Sequence, residues 1–460
     1  MKPTIPQGTR DFGPAEVRRR QYILASIKKV FEIYGFQPIE TPSMEQLETL
    51  MGKYGEEGDR LIFKILNNGL NDPKNQEKAR KGFEQVLEGK NSTLLTERAL
   101  RYDLTIPFAR FVAMNQHQLS FPFKRYQMQP VWRADRPQRG RYREFWQCDA
   151  DVVGSTALLH EAELICIYQQ AFAQLQLPEI TIKINNRKIL TGLAECCEAS
   201  ERLMDITVAI DKLDKIGWEK VAAELANKGL QKNQIDFIQT YLGFEGQNES
   251  KLQQMEQLLA KSETAQTGIA ELRSILNYHQ QLNSTSAESR VEVDFTLARG
   301  LNYYTGFITE VSTTAVKMGS IGGGGRYDDL TGLFGLKNMS GVGISFGIDR
   351  IYDVLEELNL FPSSLKSSTK ILLVNIEPLA EQQLYRYLNR LRAEGIAAEF
   401  YADAAKFDKQ MKYADKRNIP YVGIMGSEEL NEQLINVKNM ESGTQQKMSL
   451  EEVIALLGNA

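Results

Sequence analysis

The chain has 460 residues, of which 42% are hydrophobic and 25% are charged, and its formal net charge is −4. That length exceeds one compact core, so two or three globular domains are expected. It has three histidines and four cysteines without a CxxC pair, which disfavours a metallohydrolase, a structural zinc site and a disulfide framework. Because the net charge is negative, nucleic acid would have to bind at local basic patches.

The sequence shows no signal for membrane insertion or export. No apolar run is long enough to span a bilayer, and the N-terminal MKPTIPQGTRDFGP lacks the apolar core of a signal peptide. A cytoplasmic location and no membrane partner are therefore expected.

Helical and strand patterns follow one another along the first part of the chain. Apolar residues at helical spacing predict a helix over 15–34, and Gly35, Pro38 and Pro42 interrupt the chain after it. Residues 67–92 are polar and rich in Gly, Asn and Lys, which predicts a loop-rich insertion with a short helix. Two long antiparallel strands are predicted over 121–135 and 141–153, joined by RPQRG, and a helix over 156–176.

The second part of the chain separates into three regions. Residues 187–285 are helical by period and composition, which predicts a separate helical module. Strands resume over 290–316, the glycine run at 319–330 predicts a flexible or tightly packed turn, and GVGISFGIDR predicts a strand that leads into a helix. PSSLKSST at 362–369 is the best linker, and the alternating β and α patterns beyond it predict a small α/β domain.

A shared polar face on the two strands around RPQRG is the strongest signal for a site. Alternate positions lie on one side of a strand, and here they are Gln127, Gln129, Arg133, Asp135, Arg141, Arg143, Phe145, Gln147, Asp149 and Asp151. A solvated sheet face is the alternative, but such faces are typically Lys, Glu and Thr. Residues 133–143 contain five arginines and no lysine. The guanidinium fork suits phosphates, and Phe145 beside Arg143 would provide an adenine-sized slot, so the pattern favours a nucleotide site.

The well-known phosphate-binding loops do not explain such a site. The sequence has no GxxxxGK[ST], which excludes a P-loop, and the GxGxxxG spacing of GVGISFG lies inside a predicted strand, which favours close backbone packing over a dinucleotide turn. Arg350 falls in the first turn of the helix after Gly347, where the macrodipole opposes a cation. A bound anion would offset that cost, and an exposed arginine is the alternative.

Two further stretches place polar residues in apolar surroundings. Asp103 and Thr105 would point the same way in an extended chain and suit an ammonium group; the alternative is a helix cap at Thr105, with Pro107 at the first helical position. In VEVDFTLARG, the alternating pattern of a strand brings Arg299 to the apolar side. A buried arginine is costly unless it meets an anion.

Several of these stretches resemble the motifs of class II aminoacyl-tRNA synthetases, and specifically the histidyl-tRNA synthetase family. FQPIETPSME is similar to motif 1, RYQMQPVWRADRPQRGRYREFWQCDAD to motif 2 and GVGISFGIDRI to motif 3, while LARGLNYYTG and GGGGRYDDL resemble the histidine-specific pair. The resemblance implies an α+β fold with an antiparallel-sheet catalytic core, a helical insertion and a small α/β anticodon-binding domain. The implied boundaries are 1–186 and 287–361 for the core, 187–286 for the insertion, 362–369 for the linker and 370–460 for the anticodon-binding domain.

The resemblance also implies roles for individual residues. Asp103, Thr105 and Gln147 would hold the amino group of histidine. Asp151 and Tyr304 would contact its two imidazole nitrogens, which need a partner each in a dry pocket. The other implied positions are Leu104 and Tyr303 at histidine, Asp135, Arg141, Phe145 and Arg350 around ATP, Arg136 and Gln138 near the tRNA acceptor end, and Pro42 at a dimer interface, with none at a metal.

The implied reaction rests on two arginines that meet the reacting groups. Arg133 would bind the α-phosphate of ATP, and Arg299 would contact both that phosphate and the histidine carboxylate, so both also line the histidine site. The carboxylate attacks the phosphate and releases pyrophosphate, and the adenylate then transfers histidine to the terminal ribose of tRNA(His). A carboxylate nucleophile needs no general base, only positioning and charge neutralisation. Mg²⁺ is also expected, bound mainly by the ATP phosphates. The resemblance further implies that the chain forms a homodimer.

Two alternatives accompany the resemblance, and the chain departs from the family pattern at Asp103 and in an insertion over about 64–92 that is longer than in compact forms. A non-aminoacylating paralogue, such as the regulatory subunit of ATP phosphoribosyltransferase, typically lacks the C-terminal domain and the intact ARGLNYY stretch, and this chain has both. A plain RNA- or nucleotide-binding scaffold is the second alternative. Asp103 stands where many bacterial relatives carry glutamate, so the chain is similar to the eukaryote-like branch.

Overall fold

The structure is a computed structural model that describes residues 2–282, 289–298, 303–403 and 405–458. Within these residues the chain forms two compact units, the first in residues 1–11 and 20–360 and the second in residues 12–19 and 361–460. No helix in the described residues is long and apolar enough to cross a membrane.

The helices and strands have the following bounds. The helices are α1 (Pro14–Ile33), α2 (Leu47–Leu50), α3 (Gly55–Arg60), α4 (Gln76–Leu87), α5 (Thr105–Asn115), α6 (Leu159–Gln174), α7 (Arg187–Cys196), α8 (Leu203–Ile210), α9 (Leu213–Ile216), α10 (Trp218–Asn227), α11 (Lys232–Leu242), α12 (Asn248–Leu258), α13 (Glu263–Leu282), α14 (Ile348–Glu357), α15 (Glu381–Ala393), α16 (Phe407–Lys416), α17 (Ser427–Glu432) and α18 (Leu450–Gly458). The strands are β1 (Gln37–Pro38), β2 (Met44–Gln46), β3 (Lys64–Ile65), β4 (Arg98–Leu100), β5 (Phe123–Trp132), β6 (Glu144–Val153), β7 (Ile180–Asn186), β8 (Arg290–Val293), β9 (Phe307–Thr313), β10 (Gly322–Asp328), β11 (Ser340–Gly347), β12 (Ile371–Leu373), β13 (Ala398–Phe400), β14 (Tyr421–Ile424), β15 (Ile435–Asn439) and β16 (Gln445–Met448).

An eight-stranded sheet forms the centre of the first unit, in the order β1-β5-β6-β11-β10-β9-β7-β8. Its two terminal pairs, β1–β5 and β7–β8, are parallel, and the pairs between them are antiparallel. In the predicted long hairpin of β5 and β6, Gln127 lies opposite Asp149 and Gln129 lies opposite Gln147. This mainly antiparallel sheet with its helices confirms the α+β core that the sequence predicted.

Helices α1 and α6 cover the apolar face of this sheet. The ring of Phe346 in β11 lies 5.8 Å from that of Phe31 in α1 and 4.7 Å from that of Tyr168 in α6, centroid to centroid. Because side chains alternate along a strand, the opposite face of β6 presents its polar residues away from this core. The apolar packing therefore determines which face of the sheet is available for a site.

The glycine run is a strand, so the predicted turn is wrong. Gly322–Gly325 open β10, which pairs with β9 and β11. A Cβ on Gly324 would lie 2.2 Å from the carbonyl oxygen of Gly343, and a Cβ on Gly325 would lie 2.6 Å from that of Phe307. The tight packing expected of the glycine run is therefore present, although it occurs in a strand. Glycine is needed at these positions because neighbouring backbones approach closely.

Strand β8 ends earlier than the alternating pattern predicted. The Oδ1 of Asp294 accepts hydrogen bonds from the backbone N (2.9 Å) and the Oγ1 (2.6 Å) of Thr296, and the N of Leu297 donates to the Asp294 carbonyl (3.1 Å). An aspartate that bonds the backbone two residues further on favours a turn. The strand register that brought Arg299 to the apolar side is therefore wrong beyond Val293, and Arg299 itself lies outside the described residues.

The predicted helical module and the predicted short helix are both present. Residues 187–282 contain α7 to α13, and the 67–92 insertion contains α4. A Cβ on Gly192 of α7 would lie 2.4 Å from the Cβ of Ala265 in α13, so glycine lets these two helices approach closely. The domain boundaries given above stay predictions.

The second unit contains a five-stranded sheet in the order β13-β12-β14-β15-β16. β13, β12 and β14 are parallel, and β15 and β16 add antiparallel pairs. Successive residues of β12 enter different cores, since Ile371 packs with Leu384 while Leu372 packs with Ala414. A strand buried on both faces reads as a continuous apolar run, which is why KILLVNI predicted this α/β unit correctly.

Candidate functional site

A cavity of about 880 Å³ opens over the polar face of the sheet in the first unit. Its wall includes these residues that the sequence singled out: Arg133, Asp135, Arg141, Phe145, Gln147, Tyr304 and Arg350. They come from the β5–β6 hairpin, the segment before β9 and the first turn of α14. The tertiary structure thus joins at one cavity several motifs that are distant in the chain.

Arg133 directly follows β5, and two aromatic rings hold its guanidinium. The Cζ atom lies 4.3 Å from the centroid of the Tyr102 ring and 5.2 Å from that of Phe145. Its Nε donates to the carbonyl oxygen of Tyr102 at 3.1 Å. A guanidinium fixed by rings and one carbonyl can present its other N–H groups to an anion with little loss of entropy.

Asp103 lies buried at the start of α5, where tyrosines bind it. Its Oδ1 accepts hydrogen bonds from the Tyr54 hydroxyl (3.0 Å) and the backbone N of Ile106 (3.2 Å), and its Oδ2 accepts one from the Tyr303 hydroxyl (3.2 Å). Burial raises the pKa of Asp103, while the bonds to Ile106 and the tyrosines oppose that rise. Because Tyr54 lines the cavity, its hydrogen bond connects Asp103 to the cavity wall.

The start of α5 also decides between two interpretations of Thr105. The helix begins at Thr105 itself, Leu104 is the preceding cap residue, and Pro107 is the third helical residue. The alternative in which Thr105 caps the helix is therefore wrong. Asp103 bonds the free N–H of Ile106 instead, since a carboxylate reaches the first turn better than a hydroxyl that is already helical.

Arg125, to which the sequence pattern assigned no role, supplies the main buried cation of the site. It is fully buried, its Nη2 lies 2.7 Å from the Oδ2 of Asp151, and its guanidinium Cζ lies 4.2 Å from the centroid of the Phe108 ring. The Oδ1 of Asp151 accepts a hydrogen bond from the Tyr327 hydroxyl at 2.6 Å. Continuing the alternation of Gln127 and Gln129 by two residues towards the N-terminus would have placed Arg125 on the same polar face. In the structure Arg125 lies opposite Asp151 in the register of β5 and β6.

Three acceptor atoms on β6 are buried without a hydrogen-bond partner among the described residues. They are the Oε1 of Gln147, the Oδ1 of Asp149 and the Oδ2 of Asp151, and the last of these lies in the ion pair with Arg125. The Nε2 of Gln147 donates to the Oγ of Ser345 at 2.8 Å, which fixes the orientation of the amide. Buried acceptors without donors are uncommon in folded proteins, so they indicate where a ligand's donors would bind.

Asp149 carries the most perturbed carboxyl group of this face. Burial raises its pKa to about 7; the charge of Arg125 opposes that rise, and the charge of Asp151 adds to it. Burial also raises the pKa of Asp151, again against the charge of Arg125. Two buried carboxyls thus share the single guanidinium of Arg125.

Replacement of Asp149 by asparagine is expected to flatten the pH dependence of thermal stability in the ligand-free chain. The folded-state pKa of about 7 lies above the ordinary value of 3.8, so the folded chain binds a proton in this window that the unfolded chain lacks. That stability is present at low pH and is lost as the pH rises through about 7. The melting temperature, measured at about pH 5 and about pH 8, should fall less in the variant. Equal falls in both proteins would show that Asp149 does not titrate there.

The first turn of α14 holds Arg350 across the cavity from β6. Its Nε donates to the carbonyl oxygen of Gly140 (2.7 Å) and its Nη1 to that of Ser320 (2.5 Å). The side chain is half-buried, so the exposed-arginine alternative is wrong. Asp349 in the same turn compensates the macrodipole and accepts hydrogen bonds from Arg20 Nη1 (2.6 Å) and from Arg10.

The remaining candidates lie around this cavity or away from it. Arg136 and Gln138 are exposed at the hairpin tip, and Asp135 lies 3.6 Å from Arg141 in an ion pair. Pro42 is exposed, and its carbonyl oxygen accepts a hydrogen bond from Arg101 at 3.2 Å. The candidates outside the cavity lining are Asp103, Leu104, Thr105, Asp151, Tyr303, Arg136, Gln138 and Pro42. No group of three or more metal-ligating side chains occurs in the part of the chain that the structure describes.

Sequence profiles of known families match both parts of the chain. A profile described as histidyl-tRNA synthetase matches residues 8–72 and 84–351. A profile described as anticodon binding domain matches residues 370–459. The gap in the first match lies inside the 67–92 insertion, so this insertion is where the chain departs from the common pattern.

Individual relatives match along nearly the entire length. A protein named histidine–tRNA ligase from Christiangramia forsetii is 53% identical over 453 residues, which cover 97% of this chain and 97% of that protein. A protein of the same name from Phocaeicola vulgatus is 50% identical over 464 residues, which cover 99% of each chain. The crystal structure of histidyl-tRNA synthetase from Nostoc sp. PCC 7120 is 30% identical with a TM-score of 0.83, covering 100% of this chain and 99% of that one. With this fold, these motifs and these relatives, the chain belongs to the histidyl-tRNA synthetase family.

Proposed function

We propose that the chain ligates L-histidine to tRNA(His) in two steps, with ATP as the activating substrate. The observation that carries the proposal is the cavity itself, where Gln147, with its buried and unpartnered Oε1, lines the same wall as the guanidinium groups of Arg133 and Arg350, which rings and carbonyls hold in place. An amino acid that reacts with ATP needs both kinds of group at once. The first binds its ammonium and side chain, and the second binds its carboxylate and the phosphates.

In this proposal, the amino acid lies against β6 and the start of α5. The unpartnered Oε1 of Gln147 accepts from the ammonium group, with the carboxylate of Asp103 beside it and Thr105 at the start of the helix. The imidazole extends towards Tyr304 on the cavity wall and Asp151 at the far end of the polar face. Leu104 and Tyr303 close the pocket around Asp103.

ATP then lies along the hairpin side of the cavity. Arg133 contacts the α-phosphate, the adenine stacks on Phe145, and Arg350 binds the outer phosphates, with Asp135 and Arg141 at the edge. Arg299, outside the described residues, is proposed from its motif to complete the contact with the α-phosphate and the histidine carboxylate. Mg²⁺ would bind mainly through the phosphates and add charge neutralisation there, and Asp135 is a carboxylate on the wall that could complete its oxygen ligands.

The chemistry required of this site is positional and electrostatic. The histidine carboxylate is already an anionic nucleophile, so attack on the α-phosphorus requires no proton transfer. Negative charge grows on the phosphate oxygens as pyrophosphate leaves, and Arg133 and Arg299 stabilise it. The second step transfers the histidyl group from the adenylate to the tRNA ribose and releases AMP.

Histidine-dependent exchange between ATP and pyrophosphate tests the first step directly. The purified chain should catalyse exchange with histidine and not when the other amino acids are offered in turn. No exchange from correctly folded protein would overturn the proposal and favour the regulatory paralogue.

The proposal also assigns surfaces outside the cavity. Arg136 and Gln138 at the exposed hairpin tip approach the tRNA acceptor end, and residues 370–460 bind the anticodon. Pro42 belongs to the interface of a cytoplasmic homodimer, which a native mass measurement would detect. Residues 1–186 and 287–361 form the catalytic core around the helical insertion at 187–286.

The lysines on α16 are expected to contribute to tRNA binding. Lys409, Lys412 and Lys416 are exposed, whereas Arg417 pairs with Glu399 at 2.6 Å. Replacing the three lysines by alanine should raise the KM for tRNA several-fold and reduce its salt dependence, because fewer counterions are released from the phosphates. Histidine-dependent pyrophosphate exchange should stay unchanged. The control is the same triple replacement by arginine, which keeps the charge, and equal charging by both variants would contradict an RNA-binding role for this helix.

A further inference from the structure

We propose that residues 7–10, which we name the N-terminal brace, hold the connection between β5 and β6 in place, and that Arg10 is a positioning residue for the guanidinium of Arg133. The inference rests on the proposed function, because it concerns the ATP side of the same cavity. Neither the sequence pattern nor the family resemblance assigned a role to this segment.

The connection between β5 and β6, residues 133–143, carries Arg133 but has little regular structure of its own. Gln138 and Arg141 form an isolated bridge near its tip, and the N–H of Arg133 donates to the carbonyl oxygen of Arg143 at 3.0 Å at its base. A segment with few ladder hydrogen bonds has low local stability. Contacts from outside the connection therefore help to set where Arg133 lies.

The first support is that the backbone of the brace continues the hydrogen bonding of the hairpin. The N–H of Arg143 donates to the carbonyl oxygen of Gly8 at 2.8 Å, and the Nη1 of Arg143 donates to that of Gln7 at 3.3 Å. Because the carbonyl oxygen of Arg143 accepts the N–H of Arg133, one residue joins the brace to the residue that carries the proposed catalytic guanidinium.

The second support is the close fit of the brace against the hairpin. Gly8 has a φ of +84°, and a Cβ there would lie 2.8 Å from the Cγ of Arg143 and 2.9 Å from the Cγ of Pro137. The backbone N and the Oγ1 of Thr9 both donate to the carbonyl oxygen of Pro6, at 3.2 and 2.7 Å, which closes the turn. Both the left-handed conformation and the close approach favour glycine at this position.

The third support is that Arg10 links the hairpin to a buried carboxylate. Its Cζ lies 3.3 Å from the centroid of the Tyr142 ring, and its Nη2 donates to the Oδ1 of Asp349. Asp349 is 4% exposed, and its Oδ2 accepts the N–H of Trp146 in β6 at 2.9 Å, so this carboxylate is fixed. A guanidinium that contacts a ring and a carboxylate holds the two together. Because Tyr142 precedes Arg143, Arg10 thus fixes the base of the hairpin against α14.

These contacts have a selective consequence for catalysis. Loss of the brace would let the guanidinium of Arg133 move away from the rings of Tyr102 and Phe145, and a misplacement of about 1 Å can cost about 10²-fold in rate. The residues proposed to bind the ammonium and imidazole groups lie on β6, at the start of α5 and before β9. Loss of the brace should therefore lower the rate of adenylate formation without weakening histidine binding.

Replacement of Arg10 by alanine is the first test, measured by histidine-dependent pyrophosphate exchange. We expect kcat to fall about ten- to a hundredfold while the KM for histidine is unchanged. Arg10→Lys keeps the charge beside Asp349 but loses the flat group on the Tyr142 ring, so it should recover part of the rate. It also provides the comparison if the alanine variant does not fold. Gly8→Ala disturbs the other contact of the brace and should give the same pattern.

Arg18→Ala is the matched control for these variants. Arg18 lies eight residues further along the chain, in the second unit, where its Nε and Nη2 donate to the carbonyl oxygens of Leu365 (2.8 Å) and Lys366 (2.6 Å). Its replacement should leave exchange unchanged. A loss equal to that of Arg10→Ala would assign the effect to the N-terminal region in general and overturn the inference.

Combination with Arg133→Ala separates positioning from a general structural role. Because Arg10 acts through Arg133, its replacement should lower kcat much less in the Arg133→Ala chain than in the wild-type chain. Equal fold losses in the two backgrounds, or an unchanged kcat for Arg10→Ala, would overturn the inference. Failure of the proposed function would differ, since the wild-type chain would then show no histidine-dependent exchange.

Discussion

Alanine in place of Arg133 is expected to lower kcat for histidine-dependent pyrophosphate exchange by about 10²–10³-fold. The guanidinium is held 4.3 Å from the Tyr102 ring centroid and 5.2 Å from that of Phe145, so it is in place before the substrates bind. Donors that are fixed where negative charge grows stabilise the transition state more than the bound substrates. The KM for histidine should change much less than kcat, because the proposed ammonium and imidazole contacts come from other residues, on β6, at the start of α5 and before β9.

Two further variants make this expectation specific. Arg133→Lys keeps the charge but loses the planar fork that stacks between the rings, so it should recover only part of the lost rate. Arg139→Ala is the matched control, because Arg139 lies in the same hairpin but is 57% exposed and pairs with Glu357. It should leave exchange unchanged. A loss of exchange equal to that of Arg133→Ala would show that the hairpin as a whole, and not the Arg133 guanidinium, matters.

Replacing Arg125 by leucine is expected to destabilise the first unit by about 3–5 kcal/mol. Arg125 is fully buried 2.7 Å from Asp151, and its charge also favours ionisation of Asp149. Its removal leaves two buried carboxyl groups without a counter-charge. The melting temperature of the ligand-free chain is the measurement, and it should fall by several degrees at neutral pH.

The pH dependence of that loss identifies its cause. Asp149 and Asp151 both have raised pKa values, so they accept protons as the pH falls and the unpaired charges disappear. The decrease in melting temperature caused by Arg125→Leu should therefore be smaller at about pH 5 than at about pH 8. Adding Asp151→Asn to Arg125→Leu should recover part of the stability at the higher pH, since one uncompensated charge is removed. A deficit that is equal at both pH values, with no recovery in the double variant, would assign the loss to packing alone.

Regular local patterns explain which parts of the structure were predictable. The period of two along β5 and β6 placed Gln127, Gln129, Gln147 and Asp149 on one face, and the structure pairs Gln127 with Asp149 and Gln129 with Gln147. The helical period of residues 187–282 and the apolar runs of the second unit were equally reliable. Each depends on whether a side chain faces water or a core, which a single stretch of sequence records.

Local sequence was a poor guide where a distant neighbour decides the conformation. The glycines of β10 were predicted as a turn because glycine alone favours one, whereas the backbones of Gly343 and Phe307 leave no room for side chains in the strand. The bonds from Asp294 to Thr296 ended β8 early, although the apolar alternation continued past it. In both cases, close packing or a side-chain bond to the backbone overrode the pattern.

The sequence by itself determined the order of elements, the polar face of the hairpin and, through long motifs, the resemblance to one synthetase family. Only the tertiary structure decided how the acceptors of that face are used. Asp151 forms an ion pair with Arg125 and accepts a hydrogen bond from Tyr327, whereas the Oε1 of Gln147 and the Oδ1 of Asp149 have no hydrogen-bond partner among the described residues. The physical reason is that strand alternation is local, while hydrogen-bond satisfaction inside a protein depends on groups that folding brings together from distant positions.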